Sequence, residues 1–409
     1  MDQFHLTMTD ILAVLPFWFV AWYCWSRQRG VVIPSLDAGQ ATPLIDPPLV
    51  SIIVPARNEA PHVATCIRSL LAQDYSNLEI IVVDDGSTDG TGPLIEELAK
   101  ETGKITLVQG APLPEGWMGK AHACYQGYAR AKGSWLLFTD SDTEHAASLL
   151  SGVMAAVSER RASVATVIGQ QRHPTFAVYV VNLGVFTCMD LTLDLRRLMD
   201  QRSPQSLVNG QYVLFSREAY ETIGTHAAVR SFSSTDVSLG YLAKLHGCVP
   251  IFLKTQTALS TTMYRSFREA FRGWTRSLVN GSWTALGPVL GSLGLLVLTT
   301  ALWLFWVDPW WRWMRSLGEG RSTELVISSF QILAGGAIMR LHRPTWIQAG
   351  KDIILLPVAF VLFSVIVVAG LLKGWWYGGT VWKGRVVRTA QGLPTWRPPP
   401  VRRPNPPAA

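Results

Sequence analysis

Ser134-Trp135-Leu136-Leu137-Phe138-Thr139-Asp140-Ser141-Asp142 is an apolar run that ends in two carboxylates two residues apart. Its apolar residues suit a strand buried in a sheet. The carboxylates would then emerge at the carboxyl end of that strand, where open α/β sheets bind ligands. Two acids so close repel each other unless a cation lies between them. Hard cations such as Mg²⁺ and Mn²⁺ prefer oxygen ligands, and Mg²⁺ commonly combines one or two carboxylates with substrate phosphates. The stretch therefore points to a metal that holds a diphosphate, against the plainer reading of a solvated Asp-x-Asp turn.

The surroundings repeat the pattern. Val50-Ser51-Ile52-Ile53-Val54 predicts a buried strand, followed by a helix over residues 60–73. Residues 78–83 predict a second strand, 90–100 a helix, 105–108 a third strand and 120–131 a helix before the fourth strand at 135–138. Alternating strands and helices imply a mainly parallel sheet with right-handed crossovers, an α/β fold.

At 409 residues, with 48% apolar residues and 17 tryptophans, the chain suits one large soluble domain with membrane attachments. The net charge is +7. Lys373, Lys383, Arg385, Arg388, Arg397, Arg402 and Arg403 account for all of it, because no acid follows Lys373. A basic tail beside an apolar helix reads as a contact with anionic lipid, worth about 1 kcal/mol per basic residue near the surface. No aromatic-basic module accompanies it, which disfavours nucleic acid as a partner. The five cysteines are scattered, odd in number and without metal spacing, as in a reduced, cytoplasmic domain.

Residues 1–30 read as an uncleaved N-terminal anchor: 11–25 is an unbroken apolar run, with Arg27 and Arg29 after it and no basic residue before it. Residues 31–48 form a Pro-rich linker and 49–282 the soluble domain. Membrane helices are expected within 283–373, from apolar segments at 285–307, 325–339 and 353–372, and a basic, Pro-rich tail over 374–409. Four full spans would place that tail on the outer side, against the positive-inside tendency. Either one segment is re-entrant or interfacial, or the N-terminal assignment fails. The apolar stretch 176–189 is too short to span and leaves two readings open, core or a dip into the bilayer interface.

Four motifs fall at strand ends or on the following loops: Ser51-Ile52-Ile53-Val54-Pro55-Ala56-Arg57-Asn58-Glu59, Val82-Val83-Asp84-Asp85-Gly86-Ser87-Thr88-Asp89-Gly90, Gly116-Trp117-Met118-Gly119-Lys120-Ala121 and Thr139-Asp140-Ser141-Asp142. In this order they resemble family 2 glycosyltransferases of the GT-A fold, over about residues 49–280. Further blocks, Asn209-Gly210-Gln211-Tyr212, Thr261-Thr262-Met263-Tyr264-Arg265 and Trp382-Lys383-Gly384-Arg385, are similar to the membrane-anchored enzymes of that family that glycosylate carotenoids, hopanoid-type lipids or ceramide.

The resemblance implies roles. Pro55, Arg57, Glu59, Asp84, Asp85, Lys120 and Asp140 would border the nucleotide-sugar, and Asp140 and Asp142 the metal, Mg²⁺ or Mn²⁺. The alternative for Asp84 is a turn, as for Asp89, and for Arg57 and Glu59 solvated loop charges. Lys120 opens a helix after a glycine, so its ammonium and the helix N-terminus can both face phosphate. Asp236, in Ser233-Ser234-Thr235-Asp236-Val237, stands where the family places its catalytic base; an inverting transfer to a hydroxyl needs one carboxylate to take the proton. Its plainer alternative is a helix N-cap. Thr235 occupies a position where the family often has Glu. Gln211, Arg272 and Trp274 are candidates for diphosphate or acceptor contacts. Gly273 interrupts the Arg-Trp pair of processive relatives, and for Arg272 the alternative is an amphipathic helix on lipid headgroups. Cys188, His122, His173 and His226 are assigned no role.

The expectation is a membrane-bound, non-processive, inverting hexosyltransferase that moves a sugar from a nucleotide-sugar, UDP-linked, to a lipid hydroxyl. It would be integral to the cell membrane, with the catalytic domain facing the cytoplasm. Two alternatives stand: a polyprenyl-phosphate sugar transferase, and an inactive nucleotide-binding membrane scaffold. The first strand lacks a Gly-x-Gly-x-x-Gly loop, which disfavours a dinucleotide oxidoreductase.

Overall fold

Val-Ser-Ile-Ile-Val-Pro-Ala forms β1 (Val50–Ala56), and it is buried along most of its length, as a parallel strand covered on both faces must be. Its polar exception, Ser51, is satisfied: Oγ donates to Glu79 Oε1 and accepts from the Gly133 amide at 2.7 Å. In this computed structural model the described residues are 32–38, 45–206, 208–232, 234–342, 351–377, 380–382 and 385–387, with Tyr23 and Ser26. The expected N-terminal anchor, save those two positions, and the Pro-rich tail from 388 onward lie outside them.

The chain forms two compact units, one over 32–172 and 197–262, the other over 173–196 and from 263 onward. In the first, β1 is joined by β2 (Leu78–Asp84), β3 (Ile105–Gln109), β4 (Trp135–Phe138), β5 (Thr143–His145), β6 (Val164–Ile168), β7 (Gln170–Gln171), β8 (Val213–Ser216), β9 (Pro250–Lys254) and β10 (Leu259–Thr261). Seven strands make one sheet in the order β3-β2-β1-β4-β8-β6-β9. All neighbours are parallel except β8, which runs antiparallel to β4 and β6. The small sheet β5-β10-β7 stands apart.

The helices are numbered in chain order, and those of this unit are α1 (Val63–Leu71), α2 (Thr91–Thr102), α3 (Gly119–Tyr128), α4 (Leu149–Arg160), α7 (Arg217–Thr222) and α8 (Thr235–Leu245). The short α6 (Leu195–Met199) marks the return of the chain to this unit. Strands β1 to β3 step one way across the sheet, and β4 then pairs on the other side of β1. That reversal is a topological switch point, where α/β sheets open a crevice at their carboxyl ends. The register sets Ala56 level with Asp84 and Ile53 level with Phe138, so three motif loops leave the sheet side by side.

Part of the expected linker is folded onto this unit. The Lys254 amide donates to Pro34 O at 3.0 Å. The Asp37 carboxylate accepts from the Gln256 amide at 2.8 Å and from the Thr255 and Thr257 hydroxyls at 2.5 and 2.7 Å.

The second unit is helical: α5 (Phe176–Thr192), α9 (Phe267–Leu286), α10 (Pro288–Leu302), a π-helical turn at Trp303–Val307, α11 (Asp308–Glu319), α12 (Ser322–His342) and α13 (Lys351–Tyr377), with a short strand pair at Thr380–Trp382 and Arg385–Val387. The segment 176–189 is a core element of this unit: Val178, Val181 and Val185 are buried in a cluster with Trp274, Phe360 and Phe363. Gly184 lets α5 and α13 meet, for a Cβ there would lie 2.5 Å from Ala359 O. Among the described residues, two helices are long and apolar enough to cross a membrane, Pro288–Glu319 and Asp352–Trp376; the middle segment, α12, is not among them. On α13, Ile354, Val358, Val365 and Leu372 are exposed, and their spacing puts them on one face.

Candidate active site

The loops after β1, β2 and β4 and the first turns of α3 and α8 bring the predicted acids together. Asp84 ends β2, and Asp85 follows it, its amide donating to Ala56 O at 2.9 Å. The Asp84 carboxylate accepts from the Ser87 amide at 3.0 Å and the Ser87 hydroxyl at 2.5 Å. Its other oxygen fills the space a Cβ on Gly92 would take. Asp84 thus shapes the turn, which was its plainer reading. The Asp85 carboxylate faces Arg57, with Nη1 3.5 Å from Oδ2; the same nitrogen donates to Asp85 O. Asp89 holds the next turn by accepting from Thr91 and from the Ala60 amide, as expected. These bonds outweigh its partial burial and hold its carboxyl below the usual range.

Asp140 and Asp142 flank the turn between β4 and β5. Thr143 Oγ1 donates to Asp140 O at 2.6 Å, and Thr139 Oγ1 donates to Gln211 O at 2.7 Å, tying the turn to the start of β8. His145 lies beneath, within 3.2 Å of both threonine hydroxyls, and burial pulls its imidazole down to about 3, so it stays neutral. Cys66 lies under Asp140 O, and burial pushes its thiol up to about 12, which leaves it unreactive.

Asp142 is the strained member. Its Oδ1 is buried and accepts no hydrogen bond. Burial first, then the charges of Asp140 and Glu59, raise its carboxyl well above the usual range. Lys120 only partly offsets this. A buried carboxylate oxygen without a donor, beside the second carboxylate of Asp140, is what a divalent cation would relieve, so the pair fits such an ion as part of a ligand set. Among the described residues no third His, Cys, Asp or Glu converges with the pair to complete a ligand set. A polar cleft of about 130 Å³ opens beside Asp142, lined also by Glu144, Arg172 and Thr262.

Lys120, second residue of α3, places Nζ 2.5 Å from Asp140 Oδ1. Burial alone would lower its pKa, but Asp140 and Asp236 outweigh it and keep the ammonium charged. Asp236 is the second residue of α8, not its N-cap, which is Ser234. Its Oδ2 accepts from the Gly210 amide at 3.0 Å. Gly210 lies between Asp236 and Lys120: a Cβ there would be 2.6 Å from Asp236 Oδ2 and 3.0 Å from Lys120 Nζ. Nothing in the local sequence gives Gly210 this role, because its partner lies 26 positions on.

Three further candidates are placed differently. Gln211 is buried, and its Oε1 accepts from Gln171 at 3.0 Å and Asn209 at 3.2 Å. Arg272 and Trp274 belong to the helical unit, on α9. Arg272 is exposed, whereas the Trp274 indole is buried and donates to Asn182 Oδ1 at 2.8 Å, as a core residue does. Gly273 interrupts the Arg-Trp pair for a packing reason, because a Cβ there would lie 2.3 Å from Tyr264 Oη.

Residues 51–224 match the sequence model of glycosyl transferase family 2. The chain carries a family 2 glycosyltransferase domain. The glycosyltransferase is similar to proteins named 4,4'-diaponeurosporenoate glycosyltransferase from Staphylococcus aureus, among them those of strains USA300 and bovine RF122 / ET3-1. Each is 23% identical, over 82% of this chain and 87% of the relative. Among solved structures it is similar to the mannosyltransferase PcManGT of Pyrobaculum calidifontis, determined in complex with GDP-Man and Mn2+; the TM-score is 0.50 at 17% identity, over 90% of this chain and 98% of that one. That likeness and the sheet order make the fold of the glycosyltransferase GT-A-like.

Proposed function

We propose that the glycosyltransferase is an integral membrane enzyme that moves a sugar from a nucleotide-sugar, UDP-linked, to a hydroxyl of a lipid, by inversion and without processivity. One observation carries the reading. A single ammonium, Lys120, pairs with Asp140 on one side and feels the charge of Asp236 on the other. Acids for the departing diphosphate and an acid for the incoming nucleophile therefore share one small volume, as a displacement at one carbon requires.

Asp140 and Asp142 would hold Mg²⁺ or Mn²⁺, which supplies Lewis-acid neutralisation of the leaving diphosphate. Lys120 adds a fixed positive charge where negative charge grows. Arg57, Glu59, Asp84 and Asp85, with Pro55 in β1, form the wall toward the nucleotide, Arg57 ordering the loop by its bonds to Asp85. Asp236 takes the proton of the acceptor hydroxyl, its carboxylate oriented by the Gly210 amide at Oδ2 and the Val237 amide at Oδ1. Gln211, Arg272 and Trp274 are assigned to the acceptor side. The membrane reading rests on the two membrane-length helices, the exposed stripe on α13 and the basic tail, which together favour a catalytic domain on the cytoplasmic face. A lipid acceptor is supported by the relatives, which are named glycosyltransferases of 4,4'-diaponeurosporenoate, a carotenoid acid.

That name also favours a second reading, in which the acceptor is a lipid carboxylate. A carboxylate is ionised at neutral pH and needs no base. The test is direct. Purified enzyme in detergent is given Mn²⁺, a lipid extract and UDP-glucose, UDP-N-acetylglucosamine or GDP-mannose in turn. Release of nucleotide together with a lipid heavier by one sugar supports the proposal; no release with any donor overturns it.

A further inference from the structure

Among the buried charges outside this machinery is a lysine. Lys244, at the far end of α8 from Asp236, is 0% exposed. Its Nζ donates to four main-chain carbonyls: Leu198 O at 2.6 Å, Gln205 O at 2.7 Å, Asp200 O at 3.1 Å and Arg197 O at 3.2 Å. An ammonium has three N–H groups, so one is shared. Arg197 and Leu198 belong to α6, whose last carbonyls have no helical partner and need a donor from elsewhere. Burial pulls the ammonium down to about 8, with the Asp200 charge opposing, so it remains charged at neutral pH. The cage replaces water around a cation.

The cage sits at one end of a longer contact. Asp236, Gly240 and Lys244 are four residues apart and share one face of α8. The stretch of residues 197–206 and 208–210 follows that face in the opposite direction. Lys244 gathers its beginning. At its middle, a Cβ on Gly240 would lie 2.3 Å from Ser206 Oγ and 2.4 Å from a Val208 methyl. At its end, the Gly210 amide reaches Asp236 Oδ2 at 3.0 Å.

We infer that Lys244 is a positioning residue: by gathering the carbonyls of 197–205 it seats a strap, residues 197–206 and 208–210, on α8, and so fixes the Gly210 amide that holds Oδ2 of Asp236. The inference rests on the reading of Asp236 as the base. An apolar side chain at 244 would bury those carbonyls without donors, and the strap would lift to find water. A shift of about 1 Å at a base can cost as much as a hundredfold in rate.

The test uses the full-length enzyme in detergent and the variants Lys244→Met, Lys244→Arg and Gly240→Ala. Three quantities are read: hydrogen exchange in the peptide that holds Gly210, binding of UDP with Mn²⁺, and transfer from whichever of UDP-glucose or GDP-mannose the wild type uses. For Lys244→Met the expected result is at least about tenfold faster exchange at Gly210 and at least about tenfold lower kcat. UDP affinity and donor KM should stay within about twofold. Lys244→Arg, which keeps a charged donor, should recover most of the kcat. Gly240→Ala lifts the strap with the cage intact, should give the same pattern, and decides the matter if Lys244→Met does not fold. Unchanged exchange at Gly210, or a kcat that falls only in step with UDP affinity and melting temperature, overturns the inference. Full transfer by Asp236→Asn would refute the base reading separately, while exchange at Gly210 would still judge the strap.

Discussion

Lys120 Nζ lies 2.5 Å from Asp140 Oδ1, so the cation that opens α3 neutralises the acid that closes β4. The two side chains are 30% and 29% exposed, so water screens the pair in part and its worth to the fold is modest. Removing the ammonium should therefore be felt in the chemistry more than in the fold. Lys120→Met is expected to lower kcat about a hundredfold or more, the usual scale for one group that stabilises developing charge. Steady-state transfer assays check this, and a loss under about threefold would exclude Lys120 from the leaving-group side.

Asp142 carries a buried oxygen with no donor. Asp142→Asn removes one of two mutually repelling charges. The metal-free variant should melt at or above the wild-type temperature, yet lose the upward shift that Mn²⁺ gives the wild type through preferential binding to the folded state. Differential scanning fluorimetry with and without Mn²⁺ checks both halves. A normal Mn²⁺ shift in the variant would remove Asp142 from the ligand set.

Asp236→Asn separates acceptor chemistries. With a hydroxyl acceptor, transfer should fall by about a hundredfold to ten-thousandfold while UDP binding persists. With a carboxylate or phosphate acceptor it should hardly change. Comparing transfer to a hydroxylated and to a carboxylated lipid resolves the two.

Asp37 should make the fold sensitive to acid. Its partial burial would raise the carboxyl, but hydrogen bonds from Thr255, Gln256, Thr257 and Ser35 hold it at about 2. The folded value lies below the unfolded one, so its contribution is full above about pH 4 and is lost as pH falls toward 2. Because the carboxylate is exposed to solvent, the effect is modest. Asp37→Asn should melt about 1–2 °C lower at pH 7, and the two proteins should converge near pH 2.

Gly273→Ala should destabilise by about 1–3 kcal/mol through overpacking against Tyr264. Chemical denaturation or melting in detergent measures it. A neutral result would mean that the Tyr264 ring can swing aside.

The strands through β4 were legible because each is a continuous apolar run closed by a polar loop. The local pattern does not single out β8. Val213-Leu214-Phe215 is as apolar as its parallel neighbours, and its antiparallel direction depends on partners, β4 and β6, that a local pattern does not name. The acids of the site were legible as motifs, but their separate tasks were not. Only the bonds from Ser87 show that Asp84 builds a turn, and only burial marks Asp142 as the acid short of a partner. Gly210 and Lys244 were silent in sequence because their partners, Asp236 and the carbonyls of 197–205, lie 26 to 47 residues away. For Trp274 the sequence offers no sign of burial; its indole is buried and donates to Asn182 Oδ1.

The helical unit is assembled from two stretches of chain. α5 ends at Thr192, and α13, the helix that closes over Gly184, begins at Lys351. During synthesis at about 5–20 residues per second, α5 is complete on the order of ten seconds before α13 exists. Its apolar surface must be sheltered in that interval by a chaperone or by the bilayer. Limited proteolysis of a ribosome-nascent chain halted after α9 should therefore cut within α5, and one halted well beyond α13 should be protected there.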